Sequence, residues 1–562
     1  MKRRLVMVFS IVLGTVLMAS ADIKTGVDWR DDTVYVADRR LYEIHEADTV
    51  PVNDVRYHHL GYETTLKTAF FLKGRRNVTL DFKGATLLLH GKFQPFLIDG
   101  CTNVTVKNVT VKYARSPFTE GEVVVKEEDV LKLKVDKTLF PYEVRDGDCY
   151  FMGEGVPAHP SLSSSFVKFY DAKTRENHFT RLVTLGRHAK INPTAPWAKN
   201  VRVLEASEED GLLVFRTAKS FADWPVHVGD RMVMAHEGRS FSNCMMVESR
   251  DLHLVNYRIL NGYGMGIFPF HCHNLTIEGL RLTQDAESPS IVANLADGIH
   301  AFACSGDFVV RDSIIEGTID DALNVHANYF KVKSVEGTRI IADTGLEPYS
   351  TTALYLPGDR IRVYRGYTLD PTADYTIVAT RPIDKKTVEF TVDRPVASHQ
   401  ALDAIENLST QCRLTLSNCR FGRSTAHLRF QTRGGVLVEN CESSLQFMLS
   451  GDMSYWFESS PCEKAVFRNV RFKGPRGNFW INPQFVPSEK APYYHGDLVL
   501  ENCTFEAEKA VGAYYVKSVT LKDCIWADGG KPRLELVNCG VVSAPGCDVK
   551  ARTEKPQPLR AN

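Results

Sequence analysis

Three aspartates and two histidines fall in two short segments of similar pattern, Ala296-Asp297-Gly298-Ile299-His300 and Ile319-Asp320-Asp321-Ala322-Leu323-Asn324-Val325-His326. Asp297 and Asp320 are 23 residues apart, a spacing that suits one coil of a β-solenoid. Equivalent positions on adjacent coils stack about 4.8 Å apart. Asp297 and Asp320 are therefore expected as rung neighbours, with Asp321 one residue further along. Like charges this close cannot ionise independently, so at least one pKa should rise. Such a cluster is costly to a fold and useful to an acid–base enzyme. Hydrolysis of a glycosidic bond by direct displacement needs a carboxylic acid to protonate the leaving oxygen and a carboxylate to activate water. The expected assignment is Asp297 as the acid and the Asp320/Asp321 pair as the base. The competing reading of the same residues is an Asp/Asn turn ladder or a Ca²⁺ site. The ladder position of these rungs is already filled by Asp312, which favours catalysis.

The histidines His300 and His326 lie three and five residues past aspartates, and sugar hydroxyls are their expected partners because a buried neutral imidazole needs both nitrogens satisfied. Asn324 shares their column. The next rung, Thr425-Ala426-His427-Leu428-Arg429-Phe430-Gln431, puts His427, Arg429 and Gln431 on one face by alternation. Beyond it lie Leu445-Gln446-Phe447 and Asn478-Phe479-Trp480-Ile481-Asn482. These side chains suit sugar binding, through hydroxyl hydrogen bonds and stacking on a ring. Trp480 fits either a sugar platform or the core, and the sequence leaves both open.

The elements that must position these groups are visible as a repeat. Asn103-Val-Thr-Val-Lys-Asn108-Val-Thr-Val111 matches Asp251-Leu-His-Leu-Val-Asn256-Tyr-Arg-Ile259 and Asp307-Phe-Val-Val-Arg-Asp312-Ser-Ile-Ile315. Asp497-Leu-Val-Leu-Glu-Asn502-Cys-Thr-Phe505 continues it, and Asn274-Leu-Thr-Ile-Glu-Gly279-Leu-Arg-Leu282 has glycine at the bend. Each copy is two short alternating strands broken by a residue able to turn sharply. A fixed strand–bend–strand core with loops of varying length describes a parallel β-helix, in which each coil buries its face on its neighbours. The recurring asparagines should form a ladder.

The 562 residues hold Lys+Arg and Asp+Glu at 68 each, so nothing points to nucleic acid or an anionic membrane. Lys2-Arg3-Arg4, an apolar run to Leu17 and Ala19-Ser20-Ala21 have the form of an export signal. No later run is long and apolar enough for a membrane span. An exported protein, periplasmic or extracellular, is expected. Thirteen cysteines invite disulfides, but Asn243-Cys244, Asn418-Cys419, Asn440-Cys441, Asn502-Cys503, Asp523-Cys524 and Asn538-Cys539 recur at one repeat position. Stacked buried thiols are the preferred reading, with one or more bridges as the alternative.

The expected organisation is a signal peptide at 1–21, N-terminal rungs at 22–115 and an insert at 116–239. Rungs carrying the aspartates follow at 240–327, a second insert at 328–407, C-terminal rungs at 408–545 and a disordered polar tail at 546–562. Val228-Gly229-Asp230-Arg231-Met232 and Pro357-Gly358-Asp359-Arg360-Ile361 echo each other, so both inserts are expected as small β-barrel-like modules.

The stacked Ala-Asp297-Gly-Ile-His and Ile-Asp320-Asp321-Ala-Leu-Asn-Val-His segments, with two inserts in a right-handed parallel β-helix, resemble glycoside hydrolase family 110. That resemblance covers most of the mature chain, and the Asp-(22 residues)-Asp-Asp spacing is its most specific part. It implies an all-β fold and an inverting exo-α-1,3-galactosidase, bacterial, acting without a cofactor on galactose-terminated glycans, branched as in blood group B or linear. It carries over Asp297, Asp320 and Asp321 as the acid/base set, whereas the binding residues rest on column position. No nucleic acid or membrane insertion is implied, and a homodimer stays open. A polygalacturonase-like hydrolase is the nearest rival, but its Asn-Thr-Asp motif reads Leu295-Ala296-Asp297 here, and its Gly-His-Gly and Arg-Ile-Lys motifs have no match. A β-helix lyase would want a Ca²⁺ cage or a Lys/Arg base. A non-catalytic adhesin is the alternative from another class.

Overall fold

The computed structural model describes residues 19–57, 65–152, 159–160, 162–185, 201–217, 221, 224–236, 241–343, 355–366, 368, 370–384, 386–397, 399, 403–451, 457–481 and 487–555. Residues 1–18 of the expected export signal, Asn482 and the tail beyond 555 lie outside the described residues. Among the described residues there is no α-helix, and the chain is built from strands and two short 3₁₀ turns.

The repeat winds two long parallel sheets. In the first, the strand Arg250–Ile259 pairs in register with Thr102–Tyr113 on one side and with His273–Glu278 on the other. Its bends are Asp251 and Asn256, with φ of 55° and 51°. Asn and Asp tolerate this left-handed conformation better than other side-chain-bearing residues, which is why they recur there. The bends form two hydrogen-bonded columns. In one, Asn103 Nδ2 donates to Asn77 Oδ1 (2.8 Å) and Asn274 Nδ2 to Asp251 Oδ1 (2.9 Å). In the other, Asn256 donates to Asn108 (3.0 Å), Asn418 to Asp312 (3.1 Å) and Asn502 to Asn469 (2.8 Å). Gly279 interrupts the second column at φ 67°, where an added Cβ would lie 2.6 Å from Asn256 Oδ1.

Residues flanking each bend alternate into a continuous apolar interior, with rings stacked along it such as Phe472 on Phe505 at 4.5 Å. The residue after the second bend also turns inward, so Cys419, Cys441 and Cys503 are buried there. All thirteen cysteines are free, ten of them buried. Stacking at the second bend holds for Cys419 and Cys441, where the Cys419 N–H donates to Cys441 Sγ (3.4 Å). Cys244, however, lies on a strand of the other sheet, between Phe96 and Ile267, and Cys539 follows the strand Arg533–Val537 of that sheet. The six pairs therefore do not share one repeat position.

Two closed strand circuits interrupt the coil. Seven strands between Phe118–Lys126 and Arg231–Ala235 close the first. In the second, Leu323–Glu336 pairs with Arg339–Asp343, and the circuit returns through Thr387–Val392, Pro371–Pro382, Arg360–Tyr364 and Ala404–Asn407. The two Gly-Asp-Arg sequences make the same turn. The Asp230 carboxylate accepts from the His227 N–H (2.8 Å) and that of Asp359 from the Leu356 N–H (2.8 Å). At the C-terminus the structure corrects the expected disordered tail. Asp548–Arg552 forms a strand paired in parallel with Arg533–Val537, so the coil continues past residue 545.

Candidate active site

In the second sheet, Ile299, Leu323, Leu428, Phe447 and Phe479 stand in register as one inward-facing apolar column. Strand alternation sends the next column, His300, Asn324, Arg429, Met448 and Trp480, to the outer face. His300 and Asn324 are nevertheless buried, so this part of the outer face is roofed. The apolar core of the first module includes Ile291, Val292, Leu295 and Ile319, which lead into the two aspartate segments. Glu120 of that module accepts from the Ile291 and Val292 N–H groups and the Ser290 hydroxyl. On the other side, Leu323–Glu336 starts as a rung and runs directly into the second module. Both inserts therefore grip the loops and strands that carry the aspartates.

The register corrects the sequence expectation. Ile299 pairs with Leu323 and His300 with Asn324, while the Gly298 N–H donates to the Asp321 carbonyl (2.9 Å) and the Ile299 N–H to the Ala322 carbonyl (3.1 Å). Asp297 thus stands opposite Asp321, and Asp320 is the residue displaced by one. The physical reason is that backbone pairing fixes rung register, while the loop between rungs absorbs the extra residue. Asp297 and Asp321 are buried, and Asp320 is half-buried. The close approach depends on Gly298, where a Cβ would lie 2.6 Å from both the Ala322 carbonyl and Ile315 Cγ2.

Asp321 is held by one hydrogen bond and one ion pair. Oδ1 accepts from the His427 backbone N–H (2.7 Å), and Oδ2 lies 3.0 Å from Arg429 Nε. Burial pushes the Asp321 carboxyl well above the usual carboxylate range, and Asp320 and Asp297 push the same way against Arg429. Burial works against the Arg429 charge, but Asp321, Glu458, Asp320 and Asp297 outweigh it and hold the guanidinium protonated. The His427 imidazole is pushed down to about 3 by burial, helped by Arg429 and Arg476. It is neutral and half-buried, and its Nδ1 has no hydrogen-bond partner among the described residues.

The two buried histidines form a chain whose proton order follows from its end. A carbonyl only accepts, so His326 Nδ1–H donates to the Ala327 oxygen (2.8 Å). Burial pushes His326 down to about 4, so near neutral pH its Nε2 is a lone pair. His300 Nε2–H then donates to it across 2.8 Å. One proton lies between His300 Nδ1 and Asp297 Oδ2, which are 2.6 Å apart.

A fourth carboxylate completes the cluster. Glu458 Oε2 accepts from Gln431 Nε2 (2.8 Å), Oε1 accepts from Asn324 Nδ2 (3.4 Å), and Arg429 Nη1 is 4.0 Å away. Burial raises its pKa, but His326 once protonated, Arg429 and the Gln431 amide bring it below the ordinary value. Sequence reasoning missed Glu458, which sits in no repeat and reaches the site through an antiparallel pairing of Glu458–Ser459 with Asn328 and Ala327. The expected residues His300, Asn324, His326, Arg429 and Gln431 are joined to this cluster by these contacts, and His427 by its backbone. Trp480 stands two rungs beyond Arg429 on the same outer column. Its neighbours Phe479 and Ile481 take the core positions, while the half-buried Trp480 ring meets Tyr514 edge-on at 5.8 Å.

No family model matches the chain. It is 25% identical over 448 residues to α-1,3-galactosidase B of Akkermansia muciniphila, covering 77% of this chain and 54% of that one. It is 24% identical over 455 residues to α-1,3-galactosidase B of Bacteroides thetaiotaomicron (77% and 71%). Over 450 residues it is 24% identical to α-1,3-galactosidase A of Shewanella woodyi (77% and 70%). The chain is similar to bacterial α-1,3-galactosidases. It spans just over half the length of the Akkermansia relative. Among solved structures, a Yersinia enterocolitica family 28 exopolygalacturonase matches at 10% identity and TM-score 0.28, covering 93% of this chain and 80% of that one. The tailspike protein gp49 of Pseudomonas phage LKA1 matches at 8% identity and TM-score 0.23 (91% and 84%).

Proposed function

We propose that this chain is an exported, exo-acting glycoside hydrolase that removes terminal α-1,3-linked galactose from oligosaccharides or glycoconjugates with inversion at the anomeric carbon. The observation that carries the reading is the facing of Asp297 and Asp321 on adjacent rungs, with Asp320 beside them, in a chain similar to α-1,3-galactosidases. A carboxylate pair across one rung step can hold a water between its oxygens. Asp321, held by the His427 N–H and ion-paired with Arg429, serves as the base with Asp297 helping to hold the water. Arg429 and the His427 N–H favour the ionised form of Asp321, working against burial. Asp320, the more exposed of the three, serves as the acid. This moves the acid role from Asp297, where sequence alone had put it.

In the step so assigned, Asp320 gives its proton to the glycosidic oxygen as the bond from that oxygen to the anomeric carbon breaks. The held water attacks the opposite face of that carbon and passes a proton to Asp321. The exo mode is supported by the roof over His300 and Asn324 and by inserts on both sides of the aspartate rungs. Export rests on the leader pattern of residues 1–21. Proton NMR of the first turnovers on an α-1,3-galactosyl disaccharide tests the mechanism. β-Galactose is expected before mutarotation, and α-galactose as the first product would overturn inversion.

A further inference from the structure

We infer that Glu458 is a positioning residue that presents two amide oxygens, Asn324 Oδ1 and Gln431 Oε1, as acceptors for two hydroxyl groups of the terminal sugar. The inference rests on the proposed glycosidase reading and adds to it the residue that sets sugar recognition. An ionised carboxylate can only accept hydrogen bonds. By taking the amide N–H groups of Gln431 (2.8 Å) and Asn324 (3.4 Å), Glu458 obliges both carbonyl oxygens to face elsewhere. Both residues are buried, with exposures of 1% and 4%, and both oxygens have no hydrogen-bond partner among the described residues. A buried acceptor without a donor is unfavourable unless something supplies one. Asn324 is the register neighbour of Arg429, and Gln431 follows Arg429 by one alternation, so both belong to the face that carries the Asp321 ion pair.

The chemistry that fits is an array of hydroxyl donors without a carboxylate of its own. Arg429, the cation of this face, lies between Asp321 and Glu458. A uronic acid would therefore bring a further anion to acceptor oxygens and an engaged arginine, whereas a neutral sugar brings donors.

The test compares a chromogenic α-galactoside with its 2-, 3-, 4- and 6-deoxy analogues on the full-length wild type and on Glu458→Gln. The substituted amide can donate as well as accept, so it no longer dictates how Asn324 and Gln431 turn. Wild type should lose about ten-fold or more in kcat/KM on analogues missing a recognised hydroxyl, and E458Q should narrow that penalty to about three-fold or less. The parent glycoside should show a raised KM with a smaller change in kcat. Gln431→Met, which removes one acceptor at similar volume, should erase the penalty for one hydroxyl only, and it carries the test if E458Q does not fold. An active wild type whose deoxy penalties are unchanged in both variants overturns the inference alone. A wild type inactive on every α-galactoside overturns the functional reading, and this inference falls with it.

Discussion

Asp297 faces Asp321 across one rung step because Gly298 lets its strand pair directly on the strand that follows Asp321. Asp320 is thereby left as the member of the cluster nearest solvent. The division of labour proposed above follows from that facing pair.

Asn at 297, 320 or 321 should leave the fold intact, since Asn has nearly the shape of Asp and relieves like-charge repulsion. Activity should fall by about 10²–10⁴ or more in each case. The three are separable by leaving group. Asp320→Asn should be largely spared on an activated aryl α-galactoside, whose leaving oxygen needs little protonation, while Asp297→Asn and Asp321→Asn should stay impaired. Kinetics on paired aryl and sugar leaving groups checks this. Sparing of Asp297→Asn instead would return the acid role to Asp297.

Buried neutral histidines predict a loss of stability in mild acid. His495, far along the coil, is 2% exposed and accepts from the Cys462 N–H at 3.1 Å. Burial and Arg433 push it down to about 3 from 6.5. Between those values the unfolded chain binds a proton that the native state refuses, so this contribution is present above 6.5 and is lost as pH falls toward 3. The loss is about 1.4 kcal/mol per pH unit for one such group. His326 and His427 act in the same direction. His495→Asn, which keeps an acceptor, should flatten the slope of unfolding free energy against pH by about one proton, measured by denaturant titration. An unchanged slope would mean that His495 is protonated in the native protein.

Much of the architecture was legible because its causes are local. The Asn and Asp bends announce themselves through the left-handed backbone they occupy, as at Asp251 and Asn256. The alternation around them marks the core, and the Gly-Asp-Arg echo marks the same turn at Asp230 and Asp359. What was not legible is set between coils. The distance from Asp297 to Asp320 in sequence suggested a facing pair, but interstrand hydrogen bonds choose Asp321. Glu458 carries no sequence signal, because an antiparallel pairing with Asn328 brings it to the site from outside the repeat. The strand at Asp548–Arg552 was missed because all its side chains are exposed, Val549 and Ala551 included, and only backbone pairing to Arg533–Val537 makes it a rung.

The thiols give a prediction independent of catalysis. With thirteen free cysteines, a reducing agent should leave the melting temperature nearly unchanged. Loss of a native disulfide commonly costs about 2–5 kcal/mol, so a clear fall on reduction would reveal a bridge. Thiol labelling of the unfolded, unreduced protein should count all thirteen.

Gly298→Ala tests how tightly the rungs must approach. The new methyl group would stand 2.6 Å from the Ala322 carbonyl and from Ile315 Cγ2, neither of which is the far end of a flexible chain. The strand Ile299–Phe302 must then lift from Leu323, carrying Asp297 away from Asp321. Overpacking of this kind costs about 1–3 kcal/mol, visible as a lowered denaturation midpoint. A displacement near 1 Å at reacting groups can cost about 10²-fold in rate, so kcat should fall well beyond what lost stability explains at a temperature where the variant is folded. Substrate affinity should change less, because Asn324 and Arg429 sit on strands other than the displaced one and Gln431 directly follows the strand of Arg429. A variant with native kcat would show that the gap between Asp297 and Asp321 has slack, and that their facing does not set the rate.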